Sequence, residues 1–184
     1  MSDLMKKTCT TFRRTERGTM MAELPLAIWM LFVVLLIPMI DMATVAMRTT
    51  FLISAVHDAA HAAARSKSFL VPVDGSDPSA QQNAQSQITQ DLQSFGGVKV
   101  TSTTVNIVTT NISSDSTSRQ STPLAAPADI SVNTYSIEVQ VSAQVSPFIT
   151  YNSMFFGSIP CLSAPVTVQC AAQEFSEYPQ GLNQ

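Results

Sequence analysis

Apolar positions recur at helical spacing along the first seventy residues, and the two halves of this pattern differ. Leu24 to Ile40 is an uncharged run of seventeen residues, and its apolar character continues to Met47. A helix needs about 20 apolar residues to cross the hydrocarbon core of a bilayer. Beyond Met42 the chain has no Gly or Pro as far as Phe69, and its apolar residues trace one helix face. The pattern predicts one helix from about residue 20 to 67, embedded in its first half and amphipathic in its second.

A second, shorter helix is predicted between residues 77 and 97. Asp77 can cap its start, Pro78 suits the first helical position, and Gly96 and Gly97 would end it. One apolar stripe runs along it, formed by Ala80, Ala84, Ile88, Leu92 and Phe95.

Three strands are predicted beyond Gly97, because the apolar period changes to two. Residues 98–108 alternate with a change of parity between Val100 and Val105 that suggests a β-bulge. Residues 135–145 and 164–172 alternate strictly. Residues 113–129 are low in complexity and predict an exposed, mobile loop, and residues 147–160 predict a compact apolar turn. The fold class is therefore α+β, a long transmembrane-plus-amphipathic helix packed on a small antiparallel sheet with one additional helix.

Charge is distributed unevenly along the chain. Five of the ten Lys and Arg residues precede Gly18, and the rest of the chain is poor in basic residues. This distribution predicts a cytoplasmic N-terminus by the positive-inside rule. A nucleic-acid-binding protein would need a basic folded face, so nucleic acid is not an expected partner.

The apolar run has three possible interpretations. A cleavable secretory signal could be cut after Ala46, although Asp41 would then interrupt the region before the cut. A plain signal anchor would leave Glu23 unexplained, unless its carboxylate merely lies at headgroup level. The third interpretation gives Glu23 a function, since carboxylates next to lipid are costly and are usually functional.

The third interpretation follows from a resemblance. The stretch "RRTERG" followed by "TMMAE" (residues 13–23) resembles the class III signal of type IV pilin-like proteins, in which a basic leader ends in Gly and the fifth mature residue is Glu. The longer stretch through "HDAAHAAARS" resembles TadE-like pseudopilins of the tight-adherence pilus system, which carry an acid at each membrane edge, here Glu23 and Asp41. The segment "LSAPVTVQCAAQEF" near the C-terminus is similar to that family as well.

The resemblance implies a minor pilin or pseudopilin that assembles, initiates or caps a pilus. A prepilin peptidase would cut between Gly18 and Thr19, and Glu23 would pair with the new amine of Thr19 during subunit docking. Other pilins or pseudopilins and the pilus platform would be its partners, and it would lie in a bacterial inner membrane with its C-terminal domain outside. The expected organisation is a leader (1–18), a transmembrane segment (19–47), an amphipathic continuation (48–67) and an α+β domain (68–184).

Other chemistry is weakly indicated. His57 and His61 in "HDAAH" have the i, i+4 spacing of zinc ligands, but Asp58 is shorter than the Glu base of H-E-x-x-H enzymes. The alternative is that these residues simply lie on the solvent-exposed side of an amphipathic helix. Cys161 and Cys170 are either a disulfide or two buried thiols. No nucleophile elbow or phosphate loop is present in the sequence, so we expect neither catalysis nor a cofactor, metal or small-molecule substrate.

Overall fold

A computed structural model describes residues 17–72, 77–93, 95–150 and 163–184, with side chains from Glu23 onward. The chain divides into two compact units, Met1–Met39 and Ile40–Gln184. All described strands and the second helix belong to the second unit. The predicted α+β class is confirmed, with a long apolar N-terminal helix, a second helix and a four-stranded antiparallel sheet.

The first helix, α1, spans Arg17–Ala64 and has 48 residues. It ends three residues before the predicted boundary. Pro25 and Pro38 both lie inside α1. Each proline removes a single backbone hydrogen bond, because its ring nitrogen carries no hydrogen.

The second half of α1 lays one face on the domain core, as predicted. Five of its buried side chains illustrate the helical spacing, namely Leu52, Val56, Ala59, Ala60 and Ala63. Alanine at three of these positions leaves only short side chains on that face, which allows α1 to pack closely on its neighbours.

The second helix, α2, spans Ala80–Gln93 and buries four of the five predicted stripe residues, Ala80, Ala84, Ile88 and Leu92. The fifth, Phe95, lies beyond the end of α2 and is exposed, with its ring stacked on that of Phe51. The predicted cap at Asp77 is wrong. Ser79 caps α2 instead, because its Oγ accepts from Gln82 N–H while Gln82 Oε1 accepts from Ser79 N–H, each at 3.4 Å. This reciprocal pair is a capping box. Asp77 pairs with Lys67 at 2.7 Å.

The sheet has the order β2-β1-β3-β4, and every neighbouring pair is antiparallel. Its strands are β1 (Val98–Asn111), β2 (Thr117–Gln120), β3 (Asn133–Val145) and β4 (Val166–Phe175). The predicted bulge in β1 is confirmed by a register shift between Val100 and Ser102. One face of the sheet packs on the helices, and a single row across it is Val105, Val139 and Ala172.

Strand β2 was not predicted, since its residues lie in the segment expected to be a mobile loop. It pairs with the end of β1 across a turn in which Asn111 Oδ1 accepts the N–H groups of Ser113 and Ser114. Arg119 of β2 reaches Glu138 of β3, with 3.2 Å between Nε and Oε2. Glu138 is buried on the outer face of the sheet, so β2 supplies the countercharge that this carboxylate needs.

The C-terminus closes the core from one side. A 3₁₀ helix at Pro179–Asn183 buries Leu182 among the side chains of the core cluster. The carbonyl of Gln184 accepts hydrogen bonds from the N–H groups of Phe69 and Leu70. At Gly181 there is no room for a side chain, because a Cβ would overlap the Lys67 carbonyl oxygen.

Candidate functional site

The residues predicted for processing, docking and the membrane edge lie along α1, beginning with the proposed processing boundary. Gly18 and Thr19 belong to the first turn of α1, where the structure describes the backbone alone. Glu23 follows Thr19 by four residues, which places both on the same helix face one turn apart. If the chain were cut after Gly18, Glu23 would lie close to the positive end of the shortened helix, where a carboxylate is stabilised.

Glu23 is exposed on α1 and shares a shallow apolar strip with Ala27, Ile28 and Leu31. No ion pair with Glu23 occurs within the described ranges. Its carboxylate is therefore presented to the surroundings of the helix.

The helix surface that follows Glu23 is apolar and uncovered. Only 6% of its most apolar stretch is buried, and the helix is long and apolar enough to cross a membrane. Twelve large side chains between residues 24 and 40 are exposed: Leu24, Leu26, Ile28, Trp29, Met30, Leu31, Phe32, Val34, Leu35, Leu36, Met39 and Ile40. A soluble protein rarely exposes a contiguous apolar surface of this kind.

Asp41 has the opposite environment to Glu23. Its side chain is completely buried, and its Oδ1 accepts a hydrogen bond of 2.9 Å from the backbone N–H of Ile149. Its Oδ2 makes no hydrogen bond within the described structure. The predicted position of Asp41 at a membrane edge stays a prediction, but its carboxylate has a partner inside its own chain.

Arg48 makes a second contact with the same segment, and sequence reasoning missed it. Its guanidinium donates to the carbonyl oxygen of Ser146, immediately after β3, and it lies against Gly97. Arg48 is the only Lys or Arg between Arg17 and Arg65 and follows Asp41 by seven residues. Two helical turns separate the pair on one face, and this spacing was the available signal.

The outer face of the sheet carries a groove of about 300 Å³. Uncharged polar side chains dominate its lining, with Ser102, Thr104, Gln140, Ser142 and Gln169 among them. These groups can donate and accept hydrogen bonds, but none of the five is an acid or a base at neutral pH.

The remaining candidates are dispersed. His57, Asp58 and His61 are all exposed on α1, and no group of three or more His, Cys, Asp or Glu side chains in the described ranges could hold a metal ion. Cys170 is half-buried, and desolvation by burial raises the pKa of its thiol. Cys161 lies outside the described residues, so a disulfide between the two stays a prediction.

Comparison with known proteins adds no assignment. No protein-family model, curated protein or solved structure matches this chain. The two acids differ in environment, since Glu23 is exposed beside an apolar helix surface and Asp41 is buried.

Proposed function

We propose that this chain is a membrane-anchored minor pilin or pseudopilin of the TadE-like kind, which takes part in the assembly, initiation or tip-capping of a tight-adherence pilus. The observation that carries the proposal is the exposed Glu23, one helical turn after Thr19 and directly before seventeen uncharged residues. The sequence resemblance at residues 13–23 supplies the processing step that gives Glu23 its partner.

The free energy of transferring the exposed apolar side chains from water to lipid supports membrane anchoring. A large apolar side chain gains about 1.5–3 kcal/mol when it is fully removed from water. Twelve such side chains are exposed before Asp41, so their transfer to lipid outweighs the several kcal/mol that one carboxylate costs near the bilayer. Glu23 therefore does not prevent insertion. The basic leader would keep the N-terminus cytoplasmic and place the α+β domain outside the inner membrane.

The proposed docking step depends on desolvation. Cleavage after Gly18 would leave an α-amine on Thr19, and Glu23 would meet such an amine on its own chain or on a neighbouring subunit. Opposite charges 4 Å apart attract by about 1 kcal/mol in water and by about 4 kcal/mol at an effective dielectric constant of 20. The pairing is thus weak in solution and selective once both groups lie in the assembling fibre.

The structure of the domain disfavours a secretory signal. The second compact unit begins at Ile40, so a cut after Ala46 would fall inside it. That cut would also remove Asp41 and its hydrogen bond to Ile149. A helix that stays uncut in the membrane keeps the compact unit whole and retains the hydrogen bond between Asp41 and Ile149.

The second candidate function is a single-pass anchored domain that binds an envelope partner without a pilus. One observation favours it, since Asp41 already has a hydrogen-bond partner inside its own chain, the Ile149 N–H, and needs no fibre to supply one. The two candidates differ in what they require of Glu23. Neither candidate requires catalysis, a cofactor, a small-molecule substrate or nucleic acid.

The test combines processing with assembly in cells. N-terminal sequencing of membrane-extracted protein should find Thr19 first, and Gly18→Leu should leave the precursor uncut. Glu23→Gln should be inserted and processed normally yet fail to support piliation, because the neighbouring amine loses its charged partner. Asp58→Asn is the matched control, since Asp58 is an exposed acid on the same helix. Normal piliation in cells carrying Glu23→Gln at parental levels would reject the docking role and favour the plain anchor.

A further inference from the structure

The segment that follows β3 is held against α1 by two hydrogen bonds. Asp41 Oδ1 accepts the Ile149 N–H at 2.9 Å, and the Arg48 guanidinium donates to the Ser146 carbonyl oxygen. Asp41 and Arg48 lie two turns apart on one helix face, a distance of about 10 Å. These contacts fix residues 146–149, here named the docked segment, alongside the stretch of α1 between residues 41 and 48.

The docked segment presents apolar side chains to its surroundings. Phe148 is 68% exposed and Ile149 is 44% exposed, whereas Pro147 is buried. The helix residues on either side of Asp41, Ile40 and Met42, are also apolar and exposed. No charged residue occurs anywhere between Glu138 and Glu174 in the sequence.

We propose that the docked segment is a second membrane contact, with Phe148 and Ile149 inserted into lipid at the edge of the hydrocarbon layer. The proposal rests on the proposed membrane anchoring of α1. Asp41 directly follows the uncharged run Leu24–Ile40, so a segment held at Asp41 lies where that run leaves the bilayer. Uncharged chain with exposed apolar side chains fits such a place, since charged side chains are costly there.

Backbone chemistry supports lipid as the occupant. Backbone polar groups of non-helical chain near a bilayer are stabilised by partners within the protein, because unpaired polar groups are costly in hydrocarbon. Asp41 gives the Ile149 N–H such a partner, and Arg48 does the same for the Ser146 carbonyl oxygen. The buried carboxylate is thereby explained as the acceptor that lets this segment approach lipid, and the domain is fixed at one depth on the membrane.

The experiment uses tryptophan fluorescence of the full chain in vesicles. The protein has one tryptophan, Trp29, which lies in the apolar part of α1 and reports on anchoring in the parent. In a Trp29→Phe background, Phe148→Trp reports on the docked segment and Ile149→Trp is a second reporter. Phe175→Trp is the matched control, because Phe175 is 70% exposed but lies at the far end of β4. The vesicles contain phosphatidylcholine and phosphatidylglycerol at low protein density, with bromine at shallow or deep acyl positions.

The expected result for the Phe148→Trp variant is a loss of fluorescence with shallow bromine, together with protection from aqueous iodide. The Phe175→Trp control should keep its fluorescence with bromine and lose it with iodide. If Trp29 is quenched by bromine in the parent while the Phe148→Trp variant behaves like the control, anchoring stands and the lipid contact is rejected. Protection of the Phe148→Trp variant from both quenchers would mean that protein covers the segment, which also overturns the proposal. If Trp29 itself is not quenched, anchoring fails and the lipid contact fails with it.

Discussion

Replacing Asp41 with Ala removes the only described acceptor of the Ile149 N–H and should release the Ile149 end of the docked segment from α1, while Arg48 still holds Ser146. Hydrogen bonds to charged groups contribute about 1.5–3 kcal/mol each. Asp41 is completely buried and the hydrogen bond as a whole is partly buried, so solvent screens the contact less than it would screen one on the surface, and this range is used for it. The perturbation is local, since Asp41 lies at the N-terminal limit of the compact unit and away from the cluster that forms its core.

The magnitude translates directly into an exchange rate. An amide protected by a local contact exchanges with solvent when that contact opens, and 1.4 kcal/mol corresponds to a factor of ten in the opening equilibrium. Asp41→Ala should therefore accelerate hydrogen exchange at the Ile149 amide roughly 10- to 150-fold. Asp41→Asn retains an oxygen acceptor without the charge, and neutral hydrogen bonds contribute about 0.5–1.5 kcal/mol, so its effect should be clearly smaller.

The assay is amide exchange followed by NMR on the full chain in lipid nanodiscs. Amides in the centre of β3, such as that of Val139, should keep their parental rates because the sheet does not depend on Asp41. Asp58→Ala, an exposed acid on the same helix, should leave Ile149 unchanged. Parental exchange at Ile149 in Asp41→Ala would refute the reasoning, since it would show that the carboxylate does not hold the segment.

Three further predictions concern the domain itself. Gly181→Ala should destabilise the full chain by about 1–3 kcal/mol in urea unfolding, because its Cβ would overlap the backbone of Lys67. Gly96→Ala is the control, since Gly96 has open space around it, and equal urea midpoints for the two variants would contradict this packing. Arg119→Ala should lower the free energy of unfolding by about 1–2 kcal/mol, which is less than the usual loss for a broken buried ion pair because Arg119 is 60% exposed. Adding Glu138→Gln should recover part of this loss, and no recovery would show that the two charges are not coupled. Hydrogen bonds from Ser131 lower the pKa of Asp129, so their contribution to stability is present at neutral pH and is lost as the pH falls through the pKa of the folded state. Ser131→Ala should raise the pKa of Asp129 in an NMR titration, and an unchanged pKa would show that the Ser131 hydroxyl does not lower it.

Sequence reasoning succeeded where a regular period reports directly on burial. The α1 face with Leu52 and Ala60, the α2 stripe and the alternation in β3 were all predicted, because each depends on local geometry and on one apolar core. The bulge near Val100 was found for the same reason, since an extra residue changes the parity of the alternation.

The features that were missed depend on pairing between distant residues. Strand β2 is short and polar, so it has no apolar period, and it is ordered by its hairpin with β1 and by the Arg119–Glu138 pair. The cap of α2 was misplaced by two residues because Asp77, Pro78 and Ser79 all suit a helix start, and only the contact between Ser79 and Gln82 decides among them. The Arg48 contact joins positions 98 residues apart in the chain, beyond what local periodicity can show.

The two acids that bound the apolar run lead to different conclusions about assembly. Asp41 is buried and bonded within its own chain, so a neighbouring subunit could pair with it only after it is uncovered. Glu23 is exposed beside an apolar strip, and a cationic partner could reach it without disturbing any described contact. A charge next to lipid is stabilised most by a partner that is equally desolvated. If this chain enters a fibre through a carboxylate, that carboxylate is therefore Glu23, and Asp41 serves to hold the domain against its own helix.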